Sequence, residues 1–144
     1  MTSAQLALFG AVFTQTAMTF VIYLLLVRAR FAYATKPENM KPELAYDQAA
    51  WPVKARQIAN SVQSQFELPV LFYAAVLFAF EFGAAGWIAA AIAWVFVATR
   101  IVHAILHIGK NIVMRRFQAF VTGFATLIVF WLYLAFHVFS AGTI

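Results

Sequence analysis

The stretch that decides the fold is Leu6–Val27, LALFGAVFTQTAMTFVIYLLLV, an apolar run without a single charge that ends at the basic pair Arg28 and Arg30. At about 1.5 Å per helical residue it is long enough to cross a hydrocarbon layer of about 30 Å. Positive charge follows this run instead of preceding it, so the segment is expected to be retained as a transmembrane helix and not removed as a signal peptide. Three more apolar runs follow, Ile58 to Phe82, Ala84 to Ile108 and Gln118 to Phe139. The second and third are separated only by Glu81–Gly86, which allows nothing but an antiparallel hairpin. The chain therefore reads as an all-α integral membrane protein, a four-transmembrane-helix bundle forming one domain over residues 1–144.

Composition agrees with that reading. Of 144 residues 65% are apolar and only 10% are charged, whereas a soluble domain carries about a quarter charged residues. There is no cysteine, which excludes disulfides, thiolate metal sites and a cysteine nucleophile. The formal charge is +5, and nine of the ten bases lie in or beside two connections, 28–56 and 109–117. Connection 28–56 also carries Glu38, Glu43, Asp47 and prolines 37, 42 and 52, and connection 109–117 holds Lys110, Arg115 and Arg116. In a membrane protein such bases report topology before they report a nucleic-acid partner, and no nucleic acid is expected. The positive-inside rule puts both basic connections in the cytoplasm and both termini outside it. A transporter or channel is disfavoured, since no internal repeat marks a substrate pathway.

Polar side chains within apolar runs are costly and therefore informative. Arg56, Asn60, Gln63 and Glu67 recur at spacings of 4, 3 and 4, which gathers them on one face of helix two. Arg100, His103, His107 and Asn111 do the same on helix three. Counted along an antiparallel hairpin, Arg100 reaches the depth of Gln63 and Glu67, about 12 Å inside the bundle, and one of these two is its expected partner. Pro69 removes an amide donor and frees the Gln65 carbonyl, so helix two is expected to bend just beyond Glu67. On helix one Thr14, Gln15, Thr16 and Thr19 are positioned to hydrogen-bond across an interface. His103 and His107 have chelating spacing, with Glu67 a third potential ligand. Arg100 on the same face would repel a cation, and no metal is assigned. His137 reads as an interfacial residue. The bland alternative for both stripes is interhelical packing alone.

Taken in order, Val27-Arg28-Ala29-Arg30, the pattern Arg-x-x-x-Asn-x-x-Gln followed by Phe-Glu-Leu-Pro over Arg56–Pro69, and Arg-x-x-His with Gly-Lys over Arg100–Arg116 resemble the MAPEG family, the membrane-associated proteins in eicosanoid and glutathione metabolism, in a divergent bacterial-type member. The resemblance implies a homotrimer in the bacterial inner (plasma) membrane. Its sites would lie between neighbouring subunits, near the cytoplasmic side, where glutathione as cofactor meets a lipophilic small molecule arriving through the membrane lipids. By position it implies Arg28, Asn60, Gln63, His103 and His107 as cofactor-binding residues. Arg116 becomes the catalytic residue that stabilises the thiolate, and Arg56, Glu67 and Arg100 form a structural polar network. The chain departs from prostaglandin-synthase-like relatives at Ala59 (arginine there), Gln63 (glutamate), His107 (tyrosine) and Phe117 and Phe120 (hydroxyls). Two functions follow from the resemblance: a glutathione-dependent transferase or peroxidase acting on lipophilic electrophiles, or a non-catalytic lipid-binding or accessory membrane protein of the same fold.

Overall fold

A computed structural model describes residues 1–141. Helix α1 (Ser3–Ala34) starts at a reciprocal cap in which the Gln5 amide donates to Thr2 Oγ1 at 3.2 Å and the Thr2 amide donates to Gln5 Oε1 at 2.8 Å. It runs well past Val27, because nothing from Arg28 to Ala34 breaks a helix and the first proline comes only at position 37. The basic pair thus rides on the helix, and the irregular connection is confined to residues 35–52. That connection is a chain of three 3-10 turns, Pro37–Asn39, Pro42–Ala45 and Gln48–Ala50, two of them opened by proline, whose fixed φ suits a first helical position.

The second span is two helices, α2 (Val53–Gln63) and α3 (Leu68–Glu81), joined through a 3-10 turn at Ser64–Phe66 and a non-helical Glu67 at φ −97°, ψ −100°. The break thus precedes and includes Glu67, where a bend just beyond it was expected. Proline disturbs the turn on its N-terminal side, where its ring meets the carbonyl four residues earlier. The span also begins five residues before Ile58, since Pro52 ends the loop and the polar turn that follows is helical. Gly83, at φ +70°, closes the hairpin to α4 (Trp87–Ile108). Helix α5 (Val113–Ala141) begins before Gln118, so Arg115 and Arg116 stand in its first turn and not in a loop.

Four segments, Ser3–Ala34, Val53–Glu81, Trp87–Ile108 and Val113–Ser140, are long and apolar enough to cross a membrane. Large apolar side chains point outward along all of them, among them Phe13, Leu24, Leu77, Ile105, Leu132 and Phe136. The inside is close-packed through small residues. Ala75, Ala79, Ala89, Ala90 and Ala93 are buried around the stacked rings of Phe72 and Phe96, 4.7 Å apart. Helix α4 lies between α1 and α5. Gly123 permits the approach of α5, since a Cβ there would stand 2.7 Å from Thr99 Oγ1. The Trp94 indole donates to the Ala7 carbonyl at 3.0 Å, and the Tyr133 hydroxyl donates to the Ala84 carbonyl at 3.1 Å.

Candidate functional site

The break in the second span and the turn before α5 shape one continuous groove. Its outer compartment, about 760 Å³, is lined by Asp47, Arg56, Gln57, Lys110 and Asn111 among others. Its inner compartment, about 440 Å³, is lined by Gln63, Ser64, Glu67, His103, Phe117 and Phe120. Asn60, His107 and Arg116 line both. The polar face of α2 expected from spacing is therefore one wall of this groove, and His103, His107 and the start of α5 are the other.

Arg116 is positioned by a local device. Helix α4 ends at Gly109, and the chain reverses through Asn111, which adopts a left-handed φ of +50°, a conformation asparagine tolerates better than most residues. Its amide donates to the Leu106 carbonyl at 2.9 Å, closing the helix end, while its side-chain Oδ1 accepts from Arg116 Nη1 at 2.8 Å. Asn111 is thus not the last member of a stripe on α4, because the helix has already ended. It belongs to the site as the residue that holds the guanidinium. The Arg116 carbonyl lies 3.1 Å from His103 Nδ1, which ties the first turn of α5 to α4. The His103 and His107 rings meet edge-on at 5.6 Å. On the α2 side, Lys54 Nζ donates to the Ile108 carbonyl and Gln57 Nε2 to the His107 carbonyl, so side chains of α2 cap the open end of α4.

Arg100 stands behind the groove wall, 1% exposed. Its hydrogen bonds go to Ser64 and not to Gln63 or Glu67, Nη2 donating to the Ser64 carbonyl at 2.9 Å and to Ser64 Oγ at 2.6 Å, while Glu67 attracts it through charge alone. The reason is the break. Where the helix passes into a 3-10 turn, the Ser64 carbonyl is released to an outside donor, while exposed Gln63 and Glu67 face the groove. Among the described residues no group of three or more His, Asp and Glu side chains is arranged to hold a metal.

A second buried polar contact lies across the break: Gln15 Nε2 donates to Gln65 Oε1 at 3.0 Å, and Gln65 Nε2 donates to the Ser61 carbonyl at 3.1 Å. Of the helix-one residues expected to reach across, Thr16 does so as well, 3.3 Å from the Tyr73 hydroxyl, while Thr14 and Thr19 donate to carbonyls of their own helix. Arg28 is exposed on α1 and lines neither compartment. Ser64, Gln57 and Lys54 escaped the sequence reading. Ser64 carried a signal in its place on the N-terminal side of Pro69, but the two capping side chains carried none, since an exposed Lys or Gln near a helix start is ordinary.

Compared with known proteins, the chain matches the family model described as MAPEG family over residues 8–136. No curated protein and no solved structure matches it.

Proposed function

The chain belongs to the MAPEG family, and from that membership and the groove we propose that this multi-pass membrane protein is a glutathione-dependent transferase or peroxidase acting on lipophilic electrophiles. The observation that carries this reading is the position of Arg116, fixed by Asn111 where a polar compartment meets one walled by Phe117 and Phe120. A water-soluble thiol and a membrane-soluble partner would meet at that boundary.

The residues present fit a tripeptide thiol. Arg56 and Lys110 offer cations to its carboxylates, and Asn60 and Gln63 offer amides to its peptide groups. Among the described residues, Arg56 Nε and His107 Nδ1 are covered by protein atoms and have no hydrogen-bond partner. Glutathione, when bound, supplies the thiol nucleophile. The Arg116 guanidinium favours the ionised form of a thiol beside it. His103 holds the backbone of that arginine, and His107 lines both compartments beside it. The inner compartment is lined by α2, the break that follows it, α4 and α5, with no residue of α1 among them. In our reading a neighbouring copy in a homotrimer closes it and contributes Arg28, the basic connections lie in the cytoplasm, and the membrane is the bacterial inner membrane.

Phe117 and Phe120 also suit an acyl chain, which favours a second reading, a non-catalytic lipid-binding or accessory protein. The test is conjugation of glutathione to a chromogenic aryl halide by the full-length protein in lipid–detergent micelles, with glutathione binding followed by calorimetry. We expect turnover that falls about a hundredfold in Arg116→Gln, the scale of losing one transition-state donor. Neither binding nor turnover would leave the lipid-binding reading.

A further inference from the structure

A second recess, separate from the groove, lies where α1 leaves the membrane. Arg30, Phe31, Ala34, Thr35, Met40 and Trp51 enclose about 260 Å³. Its depth follows from α1 itself: the apolar run ends at Val27, so Arg30 lies about 4.5 Å further along the helix, at the level of lipid phosphates. The recess is built, since the Trp51 indole donates to the Leu44 carbonyl at 3.1 Å and its ring lies 6.1 Å from Tyr33. The Arg30 guanidinium sits over that ring, 4.8 Å from the centroid. Its Nε is buried and has no partner among the described residues.

The rim combines two features. Phe31 and Met40 are 68% and 69% exposed, which is tolerable only against lipid or another apolar partner. Lys41 lines the adjoining recess that shares Ala34, Met40 and Trp51 with this one, and among the described residues Arg30 is the one charged residue in the lining of the recess itself. An apolar recess whose Trp51 wall carries the Arg30 guanidinium, at headgroup depth, has the chemistry of a lipid with a negative head. We propose that this recess binds an anionic phospholipid, its phosphate on Arg30 and the first part of its acyl chains against Phe31, Met40 and Trp51. The site is independent of any thiol chemistry in the groove.

The test is native mass spectrometry of the full-length protein, stripped of lipid and then given equal amounts of phosphatidylglycerol and phosphatidylcholine. Preferential retention of phosphatidylglycerol is expected. Arg30→Gln should reduce that preference about fivefold, the share of one cation near a charged surface. Arg30→Lys should keep it, which separates charge from folding, and Trp51→Leu should weaken binding of both lipids. Arg115→Gln, an exposed base outside the recess, should change nothing. Equal retention of the two lipids overturns the proposal, as does an Arg30→Gln protein that binds like the parent. So does an equal loss in Arg115→Gln, which would mean diffuse charge, or release of the lipid by glutathione, which would make the recess part of the thiol site.

Discussion

Replacing Arg100 by leucine removes the donor that satisfies the break in the second span. Two hydrogen bonds go with it, to the Ser64 carbonyl at 2.9 Å and to its hydroxyl at 2.6 Å. Each bond to a charged donor is worth about 1.5–3 kcal/mol, a gross loss of about 3–6 kcal/mol. Against this stands relief from burying a guanidinium, which is itself costly. Relief does not win, because the Ser64 carbonyl lies where the helical ladder is interrupted and leucine leaves it unpaired inside the bundle. We therefore expect Arg100→Leu to destabilise the fold by about 3 kcal/mol, near the low end for breaking one side of a buried charged contact. The assay is reversible denaturation in mixed micelles, titrating sodium dodecyl sulfate and reading far-UV circular dichroism. A cycle with Ser64→Ala isolates the side-chain contact, and the expected coupling is about 1 kcal/mol. A loss under about 1 kcal/mol for Arg100→Leu, outside the low end of that range, would refute the reasoning. A coupling indistinguishable from zero would show that the serine hydroxyl is not what the arginine holds.

Other perturbations test other parts of the same picture. Gly123→Ala drives a methyl group to 2.7 Å from Thr99 Oγ1 and should cost about 1–3 kcal/mol by overpacking; unchanged stability in the same denaturation would mean that α4 and α5 are not in tight contact. Gln57→Leu removes the side chain that caps the His107 carbonyl and should cost about 1 kcal/mol, with faster amide exchange confined to the last turn of α4. Asn111→Ala releases Arg116 Nη1 from its 2.8 Å contact. If the thiol chemistry is present it should lower turnover while leaving glutathione affinity nearly intact, whereas a fall in affinity alone would move Arg116 from the reacting atoms to the binding surface. For orientation, a reporter active only outside the cytoplasm should light up at Gly83 and stay dark at Lys110; the reverse pattern would overturn the proposed topology.

How far the sequence could be read depended on the range of the interaction. Hydrophobic run length is a local quantity, and Leu6–Val27 with its three successors is enough to require helices, because no other open-chain structure satisfies its own backbone in hydrocarbon. Spacing is local too, which is why Arg56, Asn60, Gln63 and Glu67 could be placed on one face before any neighbour was known. Helix ends were legible only where a residue enforces them. Pro52 and Pro69 left marks, while nothing between Arg28 and Ala34 signalled that α1 would carry on through charge. Partners were beyond reach, since they depend on how two elements come together. Arg100 was rightly seen as buried and in need of an acceptor, but the acceptor was the Ser64 carbonyl, one residue before the carbonyl that Pro69 frees by its own ring, and a sequence does not display how far a helix break extends. Asn111 shows the same limit: its type suits a helix end, yet only the reversed chain turns its Oδ1 toward Arg116. By itself the sequence determined that the chain spans a membrane, the number of spans and the polar faces, all set by local chain chemistry against a fixed hydrocarbon thickness. Tertiary structure alone decided that those faces enclose a groove, that Arg116 stands at its boundary and that Ser64 answers Arg100, because each is a contact between elements far apart in the chain.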